Sequence, residues 1–271
     1  MSRRRRRASS SKRADVPDTR VDGIAGTAKT SRRVAAADTG ARIGAVDALR
    51  GSALLLMFVY HFAFDLRFYG VTSADFEHDF FWLSFRALIV GTFMTLVGVS
   101  LFLAERAHTT PRHFWRRVAI IAACALLATV ASRILFPQTF IYFGILHAIA
   151  AASVLAWPLA SRPRTALVVG AAVIAAGVFW SHPMFDARPL SWIGFVTKKP
   201  ATEDYVPLAP WAGFVAMGIA AGHGLARGGF RALAPLAGAP GWLRWLGRHS
   251  LFVYMIHQPI LLGALWLIVG H

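Results

Sequence analysis

Several stretches of this chain run for about 20 residues with few or no charges, which is the length of helix that crosses a bilayer. Hydrophobic residues make up 56% of the chain and charged residues 15%, a balance too apolar for a soluble domain. The runs also lack the period-two alternation of an outer-membrane barrel. The sequence therefore predicts an all-α fold, a polytopic transmembrane helical bundle with about seven spans.

The predicted spans follow a polar segment at the start of the chain. Their ranges are 45–66, 80–103, 114–135, 141–160, 165–181, 209–226 and 249–269. Residues 41–271 then form one transmembrane domain, and residues 1–40 are expected to be a disordered, basic cytoplasmic tail. The five-arginine run in this tail either retains the N-terminus inside or contacts anionic lipid.

Lys and Arg residues are distributed unevenly between the two sides of the predicted bundle. The tail and every second connection hold 23 of them, and the opposite connections hold five. By the positive-inside rule, the N-terminus is cytoplasmic and the C-terminus extracytoplasmic, as in a multi-pass inner-membrane protein. The net charge of +16 thus reflects basic residues that face one side of the bilayer. The bilayer is therefore the expected partner, and no nucleic acid is expected.

Cysteine usage limits the chemistry of the chain. Cys124 is its single cysteine and lies inside an apolar run. An intrachain disulfide and a thiolate metal site are therefore excluded, and no metal is expected.

Ionisable residues recur at one level of the predicted membrane domain. At about 1.5 Å per residue, His61, Arg86 and His147 each lie roughly 8–9 Å below the outer surface, and Asp65 lies just above them. Such residues are by default functional, and a buried arginine needs a partner, so we expect an ion pair between Asp65 and Arg86. The alternatives are an interfacial Asp65, an Arg86 that reaches outward to Asp79 or headgroups, and neutral histidines bonded to backbone carbonyls.

The last predicted span contains the segment YMIHQP, residues 254–259. His257 lies near mid-membrane, and Pro259 leaves a backbone carbonyl without its helical partner. This combination predicts either the lining of a cavity or a kink satisfied by Gln258.

Basic residues gather at the predicted cytoplasmic face of the domain. Arg50 forms a charged pair with Asp47 at the start of the first span, and Arg42, Arg248 and His249 are expected nearby. This rim suits a phosphate-bearing ligand, but it suits anionic lipid equally well. The positive-inside bias would by itself place arginines at this face.

Five segments of the chain together resemble one protein family. They are IGAVDALRG, LLLMFVYHFAFDL, GTFMTLVGVSLFLAERA, FPQTFIYFGILHAIA and WLGRHSLFVYMIHQPI. They are similar to the bacterial branch of the heparan-alpha-glucosaminide N-acetyltransferase catalytic-domain family over about residues 41–269. The lysosomal members move an acetyl group from cytoplasmic acetyl-CoA to a glucosamine amine on the luminal side, with a histidine as the key catalytic residue.

This resemblance implies a membrane acyltransferase that uses acetyl-CoA or another acyl-CoA as donor. The acceptor would be an amine or hydroxyl of an extracytoplasmic sugar or glycan. The sequence leaves the oligomeric state open, with a homodimer as one candidate. His78 lies in the stretch that holds the catalytic histidine of the lysosomal members, and His61 stands where they carry an asparagine. The expected catalytic residues are His61, Asp65, Arg86, His147, His257 and His78. The expected donor-binding residues are Arg50, Arg248, His249, Arg42 and Asp47.

Acyl transfer needs a base for the nucleophile's proton and a group that stabilises the developing oxyanion. His61 oriented by Asp65 fits the base, and Arg86 or His147 fits the oxyanion; a covalent route would use an acyl-histidine. Two other functions remain as alternatives: a transporter or flippase for a small solute or lipid with a histidine proton relay, and a scaffold without chemistry. The chain lacks the internal repeats typical of transporters, and the ionisable cluster argues against a scaffold.

Overall fold

The structure, a computed structural model, describes the backbone of residues 19–269 and the side chains of residues 44–269. The side chains of the predicted tail and of Arg42 lie outside these described residues, so the tail's disorder stays a prediction. The described residues from position 42 onward belong to one compact unit. The α-helices are α1 (Thr19–Phe68), α2 (Phe80–Arg106), α3 (Pro111–Leu135), α4 (Ile145–Ala156), α5 (Pro163–Phe179), α6 (Arg188–Ser191), α7 (Leu208–Arg227), α8 (Gly241–Arg248) and α9 (Ser250–Val269).

Each predicted span coincides with an apolar helix. Within the described residues, five helices are long and apolar enough to cross a membrane: α1 from Gly44 onward, α2, α3, α7 and α9. The other two, α5 and the segment Ile145–Leu159 that contains α4, are apolar but shorter. The prediction of a polytopic all-α bundle is therefore confirmed, and the count of seven spans stays a prediction.

The fourth span was expected at 141–160, but its helix begins at Ile145. Two contacts with the connection before α7 explain the later start. Phe143 forms a β-bridge with Tyr205, and the Ile145 N–H donates to Asp204 Oδ2 at 2.8 Å. His147 consequently lies in the first turn of α4 and not deep within a longer helix.

The connection between α5 and α7, residues 180–207, is folded. The hydroxyl groups of Tyr142 and Ser191 lie 2.7 Å apart, and the Tyr205 hydroxyl donates to the Ser191 carbonyl at 2.6 Å. Asp186 accepts from the backbone N–H of Thr197 at 2.7 Å. These bonds fix the segment that brings Asp204 to the start of α4.

Helix α7 packs most extensively against α2 and α5. A Cβ atom at Gly98 of α2 would lie 1.9 Å from the Val215 carbonyl oxygen, and one at Gly218 of α7 would lie 2.1 Å from the Thr95 carbonyl oxygen. Small residues allow such close backbone approach, which is the usual basis of helix packing in membranes. The fully buried side chains of Leu54, Met94 and Ile219 join α1, α2 and α7 in one core.

Candidate active site

A buried carboxylate organises the end of the bundle where α1 enters its apolar segment. Asp47 is 5% exposed and contacts two arginines. Arg50 Nη1 donates to Asp47 Oδ1 and Arg248 Nε donates to Asp47 Oδ2, each at 3.1 Å. Arg50 Nη2 also donates to Ser100 Oγ at 2.8 Å, which ties α2 to the same network. Asp47 therefore fixes both guanidinium groups.

Close packing of α8 against α1 brings Arg248 to this carboxylate. A Cβ atom at Gly247 would lie 1.8 Å from the Asp47 carbonyl oxygen, and one at Gly51 would lie 2.2 Å from the Leu243 carbonyl oxygen. Only glycine allows two backbones to approach so closely. The two glycines therefore set the position of Arg248.

A cavity of about 550 Å³ opens beside this network. Its entrance is lined by Arg50, Arg116, Arg117 and Arg248, which we call the basic mouth, together with His113. The remaining lining is mostly apolar: Phe93, Val97, Ile120, Ile121, Ile145, Leu146, Ile149, Ser250, Leu251 and Tyr254. The cavity thus combines a cationic entrance with apolar walls.

The basic mouth carries more positive charge than its neighbours neutralise. Arg50 and Arg248 share Asp47. Arg116 and Arg117 form no ion pair with a carboxylate among the described residues. A group of cations without matching carboxylates raises the local concentration of anions, so the mouth favours a ligand with several negative charges.

The cavity extends well into the bundle. Helix α3 rises about 12 Å from His113 to Ile121, which both line the cavity, and Ile121 packs in one buried cluster with Leu146 of α4. The inner lining includes Ile145 at the start of α4 and Tyr254 of α9. Because the Ile145 N–H is bonded to Asp204, the inner end of the cavity borders the connection from the opposite side of the bundle.

Asp204 lies at the centre of a group of charged residues, the Asp204 cluster, whose other members are Arg86, Lys199 and Glu77. Removal from water raises the pKa of Asp204, and the Ile145 N–H, Arg86 and Lys199 oppose this shift. Removal from water also lowers the pKa of Lys199, with a further contribution from Arg86. Lys199 Nζ lies 3.9 Å from Glu77 Oε1. This carboxylate is thus held among cations in a partly dehydrated site.

Four polar residues meet where α1 packs against α9, and we call them the α1/α9 polar cluster: His61, Asp65, His257 and Gln258. Gln258 Nε2 donates to Asp65 Oδ1 at 2.7 Å. The His61 and His257 rings lie 5.0 Å apart between centroids. His257 Nδ1 donates to the carbonyl of Tyr254, the residue that lines the cavity. The cluster therefore adjoins the inner end of the cavity.

The expected ion pair between Asp65 and Arg86 is not formed. Asp65 is bonded to Gln258, whereas Arg86 makes no ion pair with a described carboxylate and acts on Asp204 at longer range. His61 is not hydrogen-bonded to Asp65, whose side chain bonds to Gln258, and the His61 Nδ1 atom has no partner among the described groups. The similar predicted depth of Asp65 and Arg86 was therefore not enough to predict that their side chains would meet.

Three other predicted histidines have local partners. His147 Nδ1 accepts from the Gly144 N–H at 3.3 Å and so closes the first turn of α4. His78 is exposed and bonds to Asp75 at 3.0 Å. His249 is bonded to the backbone carbonyl four residues earlier and does not line the cavity. Their catalytic and donor-binding roles stay predictions.

Sequence reasoning missed Arg116, Arg117, Tyr254 and Asp204 as site residues. The two arginines contributed only to the prediction of membrane orientation, although they lie in the second turn of α3, the helix that forms one wall of the cavity. Tyr254 stands in the segment around His257 and could have been chosen with it. Asp204 gave no signal, because its position depends on how the connection folds back onto α4.

The fold and the site define a polytopic membrane protein with a cavity suited to an anionic substrate. A family model described as heparan-alpha-glucosaminide N-acetyltransferase, catalytic, matches residues 42–259, which is most of the chain. The chain therefore belongs to this family of membrane acetyltransferases, as its motifs predicted. Among the curated proteins and the solved structures, nothing matches the chain significantly.

Proposed function

We propose that this protein transfers an acetyl or other short acyl group from cytoplasmic acyl-CoA to an amine or hydroxyl of an extracytoplasmic sugar or glycan. One observation carries the proposal. A single cavity runs from the basic mouth to Ile145 and Tyr254, and Ile145 is bonded to Asp204 of the opposite connection. Donor and acceptor would thus approach one point from the two sides of the membrane.

The donor would bind with its phosphates at the basic mouth. Guanidinium groups bind phosphate oxygens in pairs, and Arg116 and Arg117 are not committed to a described carboxylate. The pantetheine arm would lie along the apolar walls, which places the thioester near Tyr254. The Tyr254 hydroxyl could then donate to the thioester oxygen as negative charge develops there.

The acceptor would arrive at the Asp204 cluster. The Asp204 carboxylate would hold an acceptor amine or hydroxyl beside the inner end of the cavity. We assign the base to His61, whose ring lies next to His257. With Asp65 bonded to Gln258, the His61 ring would be oriented by packing against the ring of this second histidine and not by the carboxylate one turn away.

Donor binding tests this proposal without requiring the acceptor. Calorimetry on the purified full-length protein would measure the Kd for acetyl-CoA at several salt concentrations. We expect Arg117→Gln to weaken binding about tenfold, because a charge-assisted phosphate contact is worth about 1.5 kcal/mol or more. Binding should also weaken as salt rises.

Arg112→Gln is the matched control, because Arg112 is exposed on the same first turns of α3 but does not line the cavity. Its Kd should equal that of the wild type. Absence of acetyl-CoA binding at low salt, or equal losses in both variants, would contradict the proposed donor site.

A further inference from the structure

The α1/α9 polar cluster contains four buried polar atoms without a hydrogen-bond partner among the described residues. They are His61 Nδ1, Asp65 Oδ2, His257 Nε2 and Gln258 Oε1. Among the described side chains, only Arg244 has another such atom. Buried polar groups are nearly always paired, so four orphaned atoms at one helix contact need a physical explanation.

The cluster has more hydrogen-bond acceptors than donors. A carbonyl only accepts, so His257 Nδ1 carries the hydrogen in its bond to Tyr254, and Nε2 of the neutral ring is an acceptor. Gln258 uses its amide nitrogen on Asp65, which leaves the Gln258 and Asp65 oxygens as acceptors. Three buried acceptors therefore face no donor within the described part of the chain.

The surroundings favour a proton over a larger occupant. Asp65 is 1% exposed, and the Tyr69 hydroxyl bonds to the Leu262 carbonyl at 3.1 Å where α1 ends beside α9. No three described His, Cys, Asp or Glu side chains are arranged to hold a metal ion. A proton needs no cavity, and it would neutralise Asp65 or charge one of the two rings without requiring room for a further atom.

We propose that His61, His257 and Asp65 share one exchangeable proton, and that this cluster takes up the proton that the acceptor loses during acyl transfer. The inference rests on the proposed function for the origin of the proton. His61 and His257 are in ring contact, and Asp65 lies one helical turn above His61. Gln258 holds the carboxylate in place through one oxygen and leaves the other free.

The reaction releases a proton when the acceptor enters as an ammonium ion. The nitrogen–carbon bond forms and the carbon–sulfur bond breaks, and the thiolate leaves with the electron pair. One proton from the nitrogen ends on the thiol of CoA, and a second is left over. The cluster receives this second proton through His61 and passes it to Asp65. With a hydroxyl acceptor, the cluster holds the single proton until the sulfur takes it.

The cluster is isolated from other described charges. Tyr254 faces His257 with ring centroids 5.3 Å apart, and Tyr60 faces His61 at 5.7 Å. No Arg or Lys among the described side chains forms an ion pair with any of the four members. Changes in protonation should therefore be coupled mainly within the cluster.

Infrared difference spectroscopy on the purified full-length protein tests the shared proton directly. In a pH titration, the wild type should show the C=O stretching band of a buried protonated carboxyl group. Asp65→Asn should remove this band, and Asp65→Glu, which keeps a carboxyl group at this position, should retain it. The exposed Asp186→Asn is the control and should leave it unchanged.

The coupling is tested by His61→Asn and His257→Gln, which remove one proton-accepting ring each. In both variants the midpoint of the Asp65 band should shift. An unshifted midpoint in both, or the absence of any such band in the wild type, would overturn the proposal. If Asp65→Asn fails to fold, the two histidine variants still provide this test.

The acyl-transfer arm uses acetyl-CoA as donor and glucosamine as the acceptor probe. Asp65→Asn should lower kcat about 100-fold, the scale of a lost acid–base group, and leave the Kd for acetyl-CoA unchanged. A coupled band without any acetyl-CoA binding would leave the shared proton standing and refute the acyltransferase. Acetyl-CoA binding, together with an Asp65 band whose midpoint does not shift in the histidine variants, would leave the donor site standing and refute the shared proton.

Discussion

Substituting Gly247 with alanine tests how the α8–α1 contact positions the donor site. The new Cβ atom would lie 1.8 Å from the Asp47 carbonyl oxygen, so the two backbones must separate by at least about 1.6 Å to reach an ordinary contact. The bond from Arg248 Nε to Asp47 Oδ2 is 3.1 Å long and would be broken by a shift of that size. The variant therefore loses one of the fixed guanidinium groups of the basic mouth.

Gly247→Ala is expected to lower both the stability of the protein and its affinity for acetyl-CoA. Overpacking of this kind destabilises a protein by about 1–3 kcal/mol, which should lower the Tm measured by thermal unfolding in detergent. Displacement of Arg248 should weaken acetyl-CoA binding about tenfold, which corresponds to about 1.4 kcal/mol. Calorimetry at low salt would measure the second effect.

Gly241→Ala is the matched control within α8, because a Cβ atom there would meet nothing within 4 Å. That variant should bind acetyl-CoA like the wild type and be equally or more stable, since alanine favours a helix over glycine. Unchanged binding in Gly247→Ala would refute the argument that this close contact sets the donor site.

Three further predictions concern other parts of the site and the bundle. Asp204→Asn should abolish acyl transfer, and wild-type activity should fall as pH drops through the raised pKa of Asp204, because the ionised carboxylate is required. That raised pKa also predicts that wild-type Tm falls relative to the variant as pH rises through it. Gly98→Val should lower stability by about 1–3 kcal/mol, unlike the unobstructed Gly263→Ala. His61→Asn should abolish transfer and leave the Kd for acetyl-CoA unchanged; full activity would make His61 structural, with His78 or His147 as the next base to test.

The positions of the apolar helices could be predicted well from the sequence. Uncharged runs fix where a membrane helix can lie, so α2 begins at Phe80 and α9 ends at Val269 as expected. The start of α4 could not be predicted, since it depends on a β-bridge and a capping carboxylate contributed by residues about sixty positions later. Contacts of that sequence separation leave no periodic signal.

In the candidate site as well, the residues on one helix could be predicted, but their partners on other helices could not. Spacing placed His61 and Asp65 on one helix face, and both do lie at the contact with α9. Depth suggested Arg86 as the partner of Asp65, but depth gives no information on helix rotation or on neighbouring helices. The α9 amide of Gln258 bonds to the carboxylate, and the arginine lies in the field of Asp204, which a folded connection supplies.

The central claim is that an acyl-CoA enters at the basic mouth and presents its thioester at Tyr254 and Ile145. Photocrosslinking with an acyl-CoA that carries a photoreactive group on its acyl chain tests this most directly, with the labelled residues mapped by mass spectrometry. We predict labels at the starts of α4 and α9, competed by acetyl-CoA and reduced in Arg117→Gln. Labels confined to residues 182–203, or labelling that acetyl-CoA does not compete, would contradict the account.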